Sequence, residues 1–293
     1  VKQRHVAADE ETATDLAEKA ANQLIEENNI GRDSIDFVIL CTQSPDYFLP
    51  TSACLLQERL GLREDIGAFD FNLGCSGFVY GLAVAKGLIA GGIADNVLLL
   101  TSETYNKYLH PKDKGNRTIF GDAASATLVS SQGQAEICEF ALGTNGKGAN
   151  NLIVKSGASR LRDKQNDVTF DKNGNPISSD HLYMNGAQIY VFTQRNVPKV
   201  VNEVLEKNHL AKEDVDLFVL HQANQYMLDF LRKKMGIPEE RFFMFMENVG
   251  NTVSCSVPIC LTEARKENRL RGNVLLCGFG VGYSWGAVVL KVN

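Results

Sequence analysis

Three side chains in this 293-residue chain are of types that can work together at a reacting carbonyl. Cys75 lies in Gly74-Cys75-Ser76-Gly77, His221 opens His221-Gln222-Ala223-Asn224, and Asn251 sits in Gly250-Asn251-Thr252. A small-residue turn around a thiol lets the backbone bend sharply and lets a substrate come close. The positive end of the helix expected after Cys75 should favour thiolate over thiol, the usual way a cysteine of pKa about 8.5 becomes nucleophilic. Asn251 is also placed to cap a helix. The run Gly278-Phe279-Gly280-Val281-Gly282 resembles a dinucleotide fingerprint but leads into a second apolar strand, whereas the fingerprint must open a helix. Its glycines are better read as letting backbone N–H groups face the site, where they help that of Cys75 form an oxyanion hole.

The elements that position these groups come from an internal repeat. Leu24 to Cys41 (LIEENNIGRDSIDFVILC) matches Val204 to His221 (VLEKNHLAKEDVDLFVLH) at an offset of 180. Each copy reads as an amphipathic helix, a polar turn and a buried strand. The match continues through a helix ending at Leu62 or Ile237, a short strand Ala68–Phe71 or Phe243–Met246, and a helix opening just past Cys75 or Asn251. It closes with strand pairs at Val97–Leu100 and Val274–Cys277, and at Gly121–Val129 and Gly282–Leu290. Near-continuous apolar strands alternating with helices imply α/β architecture, parallel-rich sheets covered on both faces. Cys75 and Asn251 occupy nearly equivalent places, and His221 matches Cys41, so strand ends from both halves deliver the three groups to one region. The halves are 1–132, with the nucleophile, and 133–293, with the His, the Asn and the glycine loop. The apolar segment Ala135–Leu142 has no counterpart ahead of the first helix, Thr12–Glu27. We therefore expect an N-terminally shortened chain lacking one strand.

Composition narrows the function. Thirty basic and 35 acidic residues give a net charge of −5 without a long run of either sign, which leaves no footprint for nucleic acid. No stretch reaches the ~18 apolar residues of a membrane span, so a cytoplasmic protein is expected. Seven cysteines without a CxxC pair speak against a disulfide framework and against a metal site. Six of them sit as small hydrophobes, and Cys75 stands apart.

In order and spacing, these segments resemble the β-ketoacyl-acyl carrier protein synthase III family of the thiolase superfamily. The similarity runs through Arg4-His5-Val6-Ala7, Phe48-Leu49-Pro50, the Cys75 turn, Ile119-Phe120-Gly121-Asp122, the His221 and Asn251 motifs, Ser256-Val257-Pro258 and the closing loop with Trp285-Gly286. The resemblance implies a five-layered αβαβα fold, usually a homodimer, performing decarboxylative Claisen condensation without a bound cofactor. Cys75 would take an acyl group from acyl-CoA while the N–H groups of Cys75 and Val281 hold the oxyanion. His221 and Asn251 would donate hydrogen bonds to the thioester oxygen of malonyl-acyl carrier protein as it decarboxylates. Phe120, Asn224, Phe279 and Gly280 would line the substrate site, and Tyr105 the acyl pocket, limiting the starter to a short or polar group. Lys114 would contact CoA in place of the family's arginine, keeping charge without the bidentate fork. Leu49 would reach the partner subunit's pocket. Arg232, Lys233 and Lys234 would dock the acidic carrier protein. Elongating ketosynthases carry a second histidine where Asn251 stands, and thiolases a second cysteine that the last loop lacks. Plant-type polyketide synthases share Cys-His-Asn and a GFG-type loop. A thiol hydrolase or acyltransferase and an idle carrier-binding subunit are the remaining alternatives.

Overall fold

The computed structural model describes residues 1–293. In the first half, α1 (Ala13–Glu27) begins at Thr12, whose hydroxyl accepts from the Asp15 N–H while Asp15 answers the Thr12 N–H, a reciprocal cap. Its Ala13, Ala17, Ala21 and Ile25 recur every fourth residue and are buried. There follow β1 (Phe37–Cys41), α2 (Ser52–Arg59), β2 (Gly67–Phe71), α3 (Gly77–Ala90), β3 (Asn96–Glu103) and β4 (Ala123–Ser130). The second half opens with β5 (Ala135–Thr144) and an insertion holding four two-residue strands, β6 (Leu152–Ile153), β7 (Thr169–Phe170), β8 (Pro176–Ile177) and β9 (Tyr183–Met184). It continues through α4 (Gly186–Lys207), β10 (Leu217–Leu220), α5 (Gln225–Lys234), β11 (Phe242–Phe243), α6 (Ser256–Lys266), β12 (Gly272–Gly280) and β13 (Ser284–Val292).

The repeat is visible in the sheets. One has the order β2-β1-β3-β4 and the other β11-β10-β12-β13-β5, so four strands correspond and β5 is the addition. In each sheet the first three are parallel and the next pairs antiparallel. The equivalence extends to single residues. Asn29 and His209 both adopt left-handed backbone, with φ of 50° and 54°, just past their helices. Asp36 and Asp216 each accept a backbone N–H from the residue entering the neighbouring strand, Asn96 or Asn273, at 2.9 and 2.8 Å.

Side-chain alternation along the strands builds the layers. Val38, Leu40, Leu98 and Leu100 point outward under α1 and α2. Ile39, Val97 and Leu99 point the other way and meet Leu217, Val219, Val274 and Leu276 of the second sheet, with Phe78 of α3 and Val257, Cys260 and Ala264 of α6 between. Phe218, Leu220, Leu275 and Cys277 pack outward under α4 and α5. The result is helix, sheet, helix, sheet, helix. Two elements differ from expectation. The strand expected over Phe243–Met246 pairs at only two residues, because β11 is an edge strand whose register with β10 ends at Phe243. The helix expected just past Asn251 starts five residues later, after a single tight turn at Val253–Cys255.

One buried carboxyl ties the halves together. Glu103, the last residue of β3, is fully buried and accepts from the Gln43 N–H at 3.1 Å, the Ser44 hydroxyl at 3.1 Å and the Ser254 hydroxyl at 3.1 Å. Burial pushes its pKa up to about 8, against an ordinary value near 4.5. The folded chain therefore holds a proton that the unfolded chain releases above pH 4.5, and stability should fall as pH rises from about 5 to about 8 and then level off.

Two outcomes are expected from this architecture. Leu99→Ala, in the layer between the sheets, should cost about 2–5 kcal/mol in urea denaturation with an unchanged slope. Glu103→Gln copies the shape of the protonated acid, so it should match the parent protein near pH 5. The variant should then lose the parent's decline towards pH 8, a difference on the order of 4 kcal/mol. Parallel stability profiles across that range would show that Glu103 is ionised in the fold.

Candidate active site

Cys75 stands in the turn between β2 and α3, and close packing dictates the residues around it. The Gly77 N–H donates to the Gly74 carbonyl at 2.7 Å, and a Cβ on Gly77 would lie 2.2 Å from the Cys41 sulfur. On the other side β12 runs directly over the turn. A Cβ on Gly278 would meet the Cys75 carbonyl oxygen at 2.7 Å, and one on Gly280 would meet the Cys75 Sγ at 2.8 Å. These glycines thus serve close approach of two backbones. Just beyond, Ser76 Oγ and Ser284 Oγ share a hydrogen bond of 2.6 Å between the halves.

The N–H groups of Val281 and of Cys75 itself face the Cys75 sulfur, and both favour thiolate. Burial outweighs them. The thiol lies in an apolar cluster with Tyr105, Phe120, Leu152 and Val253, and its pKa is pushed up to about 12, with buried Glu103 adding to the shift. This corrects the expectation of a thiolate activated by the helix end: in a water-excluded site the cost of an unsolvated charge exceeds the gain from two N–H groups. Burial thus favours the thiol.

His221 follows β10 directly, and its N–H donates to the Cys277 carbonyl of β12 at 2.8 Å. The imidazole is buried against the edge of Phe279, with ring centroids 5.4 Å apart, and burial drives its pKa down to about 3. It is therefore neutral across the physiological range. Its Nδ1 lies 2.7 Å from the Ser256 hydroxyl. Asn251 is held from both ends. Its N–H donates to the Ile119 carbonyl at 2.8 Å, its carbonyl accepts from the Gly121 N–H at 3.0 Å, and its side-chain oxygen accepts from the Val253 N–H at 2.9 Å. With that oxygen occupied, the amide NH₂, which donates to the Ala223 carbonyl at 3.4 Å, is the end left to act through its second hydrogen. Asn251 caps the tight turn before α6 rather than the helix itself. Val253 in that turn has φ of 54°, an outlier for a β-branched residue.

Cys75, His221 and Asn251 line one cavity of about 90 Å³. Of the other sequence candidates, Phe120, Asn224, Phe279 and Gly280 line it too. Asn224 caps α5 through the Met227 N–H at 2.9 Å. Tyr105 packs beside Cys75 but outside the cavity lining, its hydroxyl donating to Gln43 Oε1 at 3.1 Å. Lys114 faces a separate open cavity of about 900 Å³ with Lys2, Arg4, Lys112 and Arg117. Leu49 is 82% exposed and touches neither. Arg232 is folded back on the Ile237 carbonyl and Glu239, both at 3.4 Å, and Lys234 donates to the Gln194 carbonyl at 2.9 Å; Lys233 is exposed. Sequence reasoning missed Leu152, Met184 and Ile189, apolar lining residues from the insertion and the start of α4, where no periodicity marks them. It also gave no role to Ser256 or Glu103. A lone acidic residue closing an apolar strand was the available signal for Glu103.

With this geometry in view, comparisons with known proteins agree along the chain. Residues 69–146 match the family model described as 3-oxoacyl-[acyl-carrier-protein] synthase III, and residues 205–292 match the model for its C-terminal part. A β-ketoacyl-[acyl-carrier-protein] synthase III of Clostridium perfringens is 34% identical over 100% of this chain and 88% of the relative. One from Oleidesulfovibrio alaskensis is 34% identical over 99% and 88%. A solved 3-oxoacyl-(acyl-carrier-protein) synthase III superposes with a TM-score of 0.95 at 50% identity, covering 98% of this chain and 87% of that one. A β-ketoacyl-[acyl carrier protein] synthase III from Thermus thermophilus gives a TM-score of 0.86 at 34% identity, over 99% of this chain and 87% of that one. The thiolase-type layering, the Cys-His-Asn cavity and these matches together make the chain a member of the β-ketoacyl-acyl carrier protein synthase III family of condensing acyltransferases.

Proposed function

We propose that this condensing enzyme uses Cys75, His221 and Asn251 to join an acyl group from acyl-CoA to malonyl-acyl carrier protein, the opening condensation of fatty acid synthesis. The observation carrying the proposal is the convergence of these three side chains on one cavity. In the first half-reaction the Cys75 sulfur forms a bond to the acyl carbonyl carbon. The CoA sulfur leaves and takes up the thiol proton. The N–H groups of Cys75 and Val281, already aimed at the sulfur, hold the carbonyl oxygen as it gains charge. In the second, the bond between the malonyl carboxylate and its neighbouring carbon breaks, CO₂ departs, and the electron pair moves into an enolate. His221 and Asn251 donate to the enolate oxygen, each worth roughly 3 kcal/mol of barrier. The enolate carbon attacks the acyl-Cys75 carbonyl, and the Cys75 sulfur leaves and regains a proton. Neutral His221 fits a donor that must not hold charge between turnovers. Every step is a thioester exchange or a decarboxylation served by side chains, so no resident cofactor is required.

Substrate features follow from placement. Tyr105, packed beside Cys75, narrows the room next to the nucleophile and favours a short starter. The cations around Lys114 suit the phosphates of CoA. Exposed Tyr47, Phe48 and Leu49 form an apolar loop suited to burial in a homodimer, with Leu49 reaching the partner's pocket. Carrier docking rests on Lys233 and Lys234, since Arg232 is turned inward. The need for a reduced Cys75 and the absence of any helix long and apolar enough to cross a membrane suit a cytoplasmic setting.

Intact mass after incubation with a panel of acyl-CoAs should show an acyl adduct on the parent protein and none on Cys75→Ala. His221→Ala and Asn251→Ala should still acylate but lose malonyl decarboxylation about 100-fold or more; an adduct on Cys75→Ala would remove the nucleophile assignment. Reversing both docking charges, Lys233→Glu with Lys234→Glu, should raise KM for the malonyl carrier about tenfold at low salt. Loading from acyl-CoA should not change, and an unaltered KM would place docking elsewhere.

A further inference from the structure

His221 donates to the enolate only if its single proton sits on Nε2, and neutral imidazole is free to carry it on either nitrogen. Its state is therefore decided at Nδ1. The one side chain there is Ser256, the first residue of α6, buried, with its Oγ 2.7 Å from Nδ1. A separation of 2.7 Å lies at the usual distance for a hydroxyl donor and at the short end of the range of about 2.7–3.2 Å for an N–H donor to oxygen. The Gln222 N–H approaches the same oxygen at 3.4 Å, which occupies an acceptor position and leaves the hydroxyl proton to be given away. Its alternative acceptor, the Val253 carbonyl, is farther, at 3.0 Å.

We propose that Ser256 is a positioning residue: its hydroxyl donates to His221 Nδ1 and thereby fixes the proton on Nε2, the form that stabilises the enolate. The Val253 carbonyl, which faces the imidazole as well as the Ser256 hydroxyl, makes the choice consequential. A carbonyl only accepts. If the Ser256 hydroxyl is removed, the imidazole gains most by placing its proton on Nδ1 and donating to that carbonyl, which turns a bare Nε2 lone pair towards the substrate oxygen. The substitution would thus convert a donor into an acceptor without moving the ring. The inference rests on the role proposed for His221 in condensation.

The test is nitrogen-15 NMR of protein labelled at histidine, with the His221 signal assigned by its loss in His221→Gln. Couplings to the ring hydrogens tell which nitrogen carries the proton. The parent protein should show Nε2–H and Ser256→Ala should show Nδ1–H. Ser256→Thr, which keeps the hydroxyl, should retain Nε2–H. In parallel, Ser256→Ala should acylate Cys75 within about twofold of the parent rate while malonyl decarboxylation falls about 100-fold, and Ser256→Thr should recover most of the loss. An Nδ1–H tautomer in the parent protein, or an unchanged tautomer in Ser256→Ala, would overturn the assignment. The parent measurement needs no variant to fold and no turnover to occur, so it separates failure of this inference from failure of the condensation reading, which the acyl-adduct experiment addresses.

Discussion

The proposed catalytic centre depends on β12 lying flat against the Cys75 turn. Strand and turn come from different halves of the chain, and their backbones approach to a distance at which side chains at Gly278 and Gly280 would collide with Cys75 and Ser76. The contact brings the Val281 N–H to the Cys75 sulfur and buries that sulfur, and it carries the Phe279 ring to His221. The nucleophile's environment is therefore a product of the interface between two copies of one unit. Neither copy contains the site alone.

Exclusion of water then sets the electrostatic character of every group. Cys75 is held as a thiol, Glu103 is pushed towards its neutral acid and His221 is neutral, all for the same reason: a charge without solvent or partner is costly. The site at rest is nearly free of charge. That suits a reaction in which negative charge passes from a carboxylate to an enolate and on to a sulfur, because fixed N–H donors gain most where nothing else screens them.

Much of this was legible in the residues. The 180-residue offset between Leu24–Cys41 and Val204–His221 located the equivalent strands and showed that Cys75, His221 and Asn251 would meet, since strand ends in equivalent positions converge. Less legible was anything decided by burial rather than pattern. The helix start after Cys75 suggested a thiolate, but the desolvation that defeats it comes from Tyr105, Leu152 and Val253, which are distant in the chain. The lining from Leu152 and Met184 lies in an insertion with no repeat partner, and Ile189 at the start of α4 falls before the matched segment. Arg232 reads as part of a basic run, yet its guanidinium reaches a carbonyl that only the helix end at Ile237 could place.

Val253 holds a left-handed backbone that its branched side chain disfavours by about 1–2 kcal/mol, between Asn251, to whose side chain its N–H donates, and Ser256, which lies within reach of its carbonyl. Such a turn does not keep its shape alone. It persists because Cys75, Gly74 and the Glu103–Ser254 bond hem it in, all of them supplied by other parts of the fold. Any loosening between the halves relaxes this turn first and spoils the aim of both donors while most of the secondary structure survives. Loss of condensation should therefore precede unfolding, which makes turnover a sensitive gauge of how completely the two copies have closed on each other.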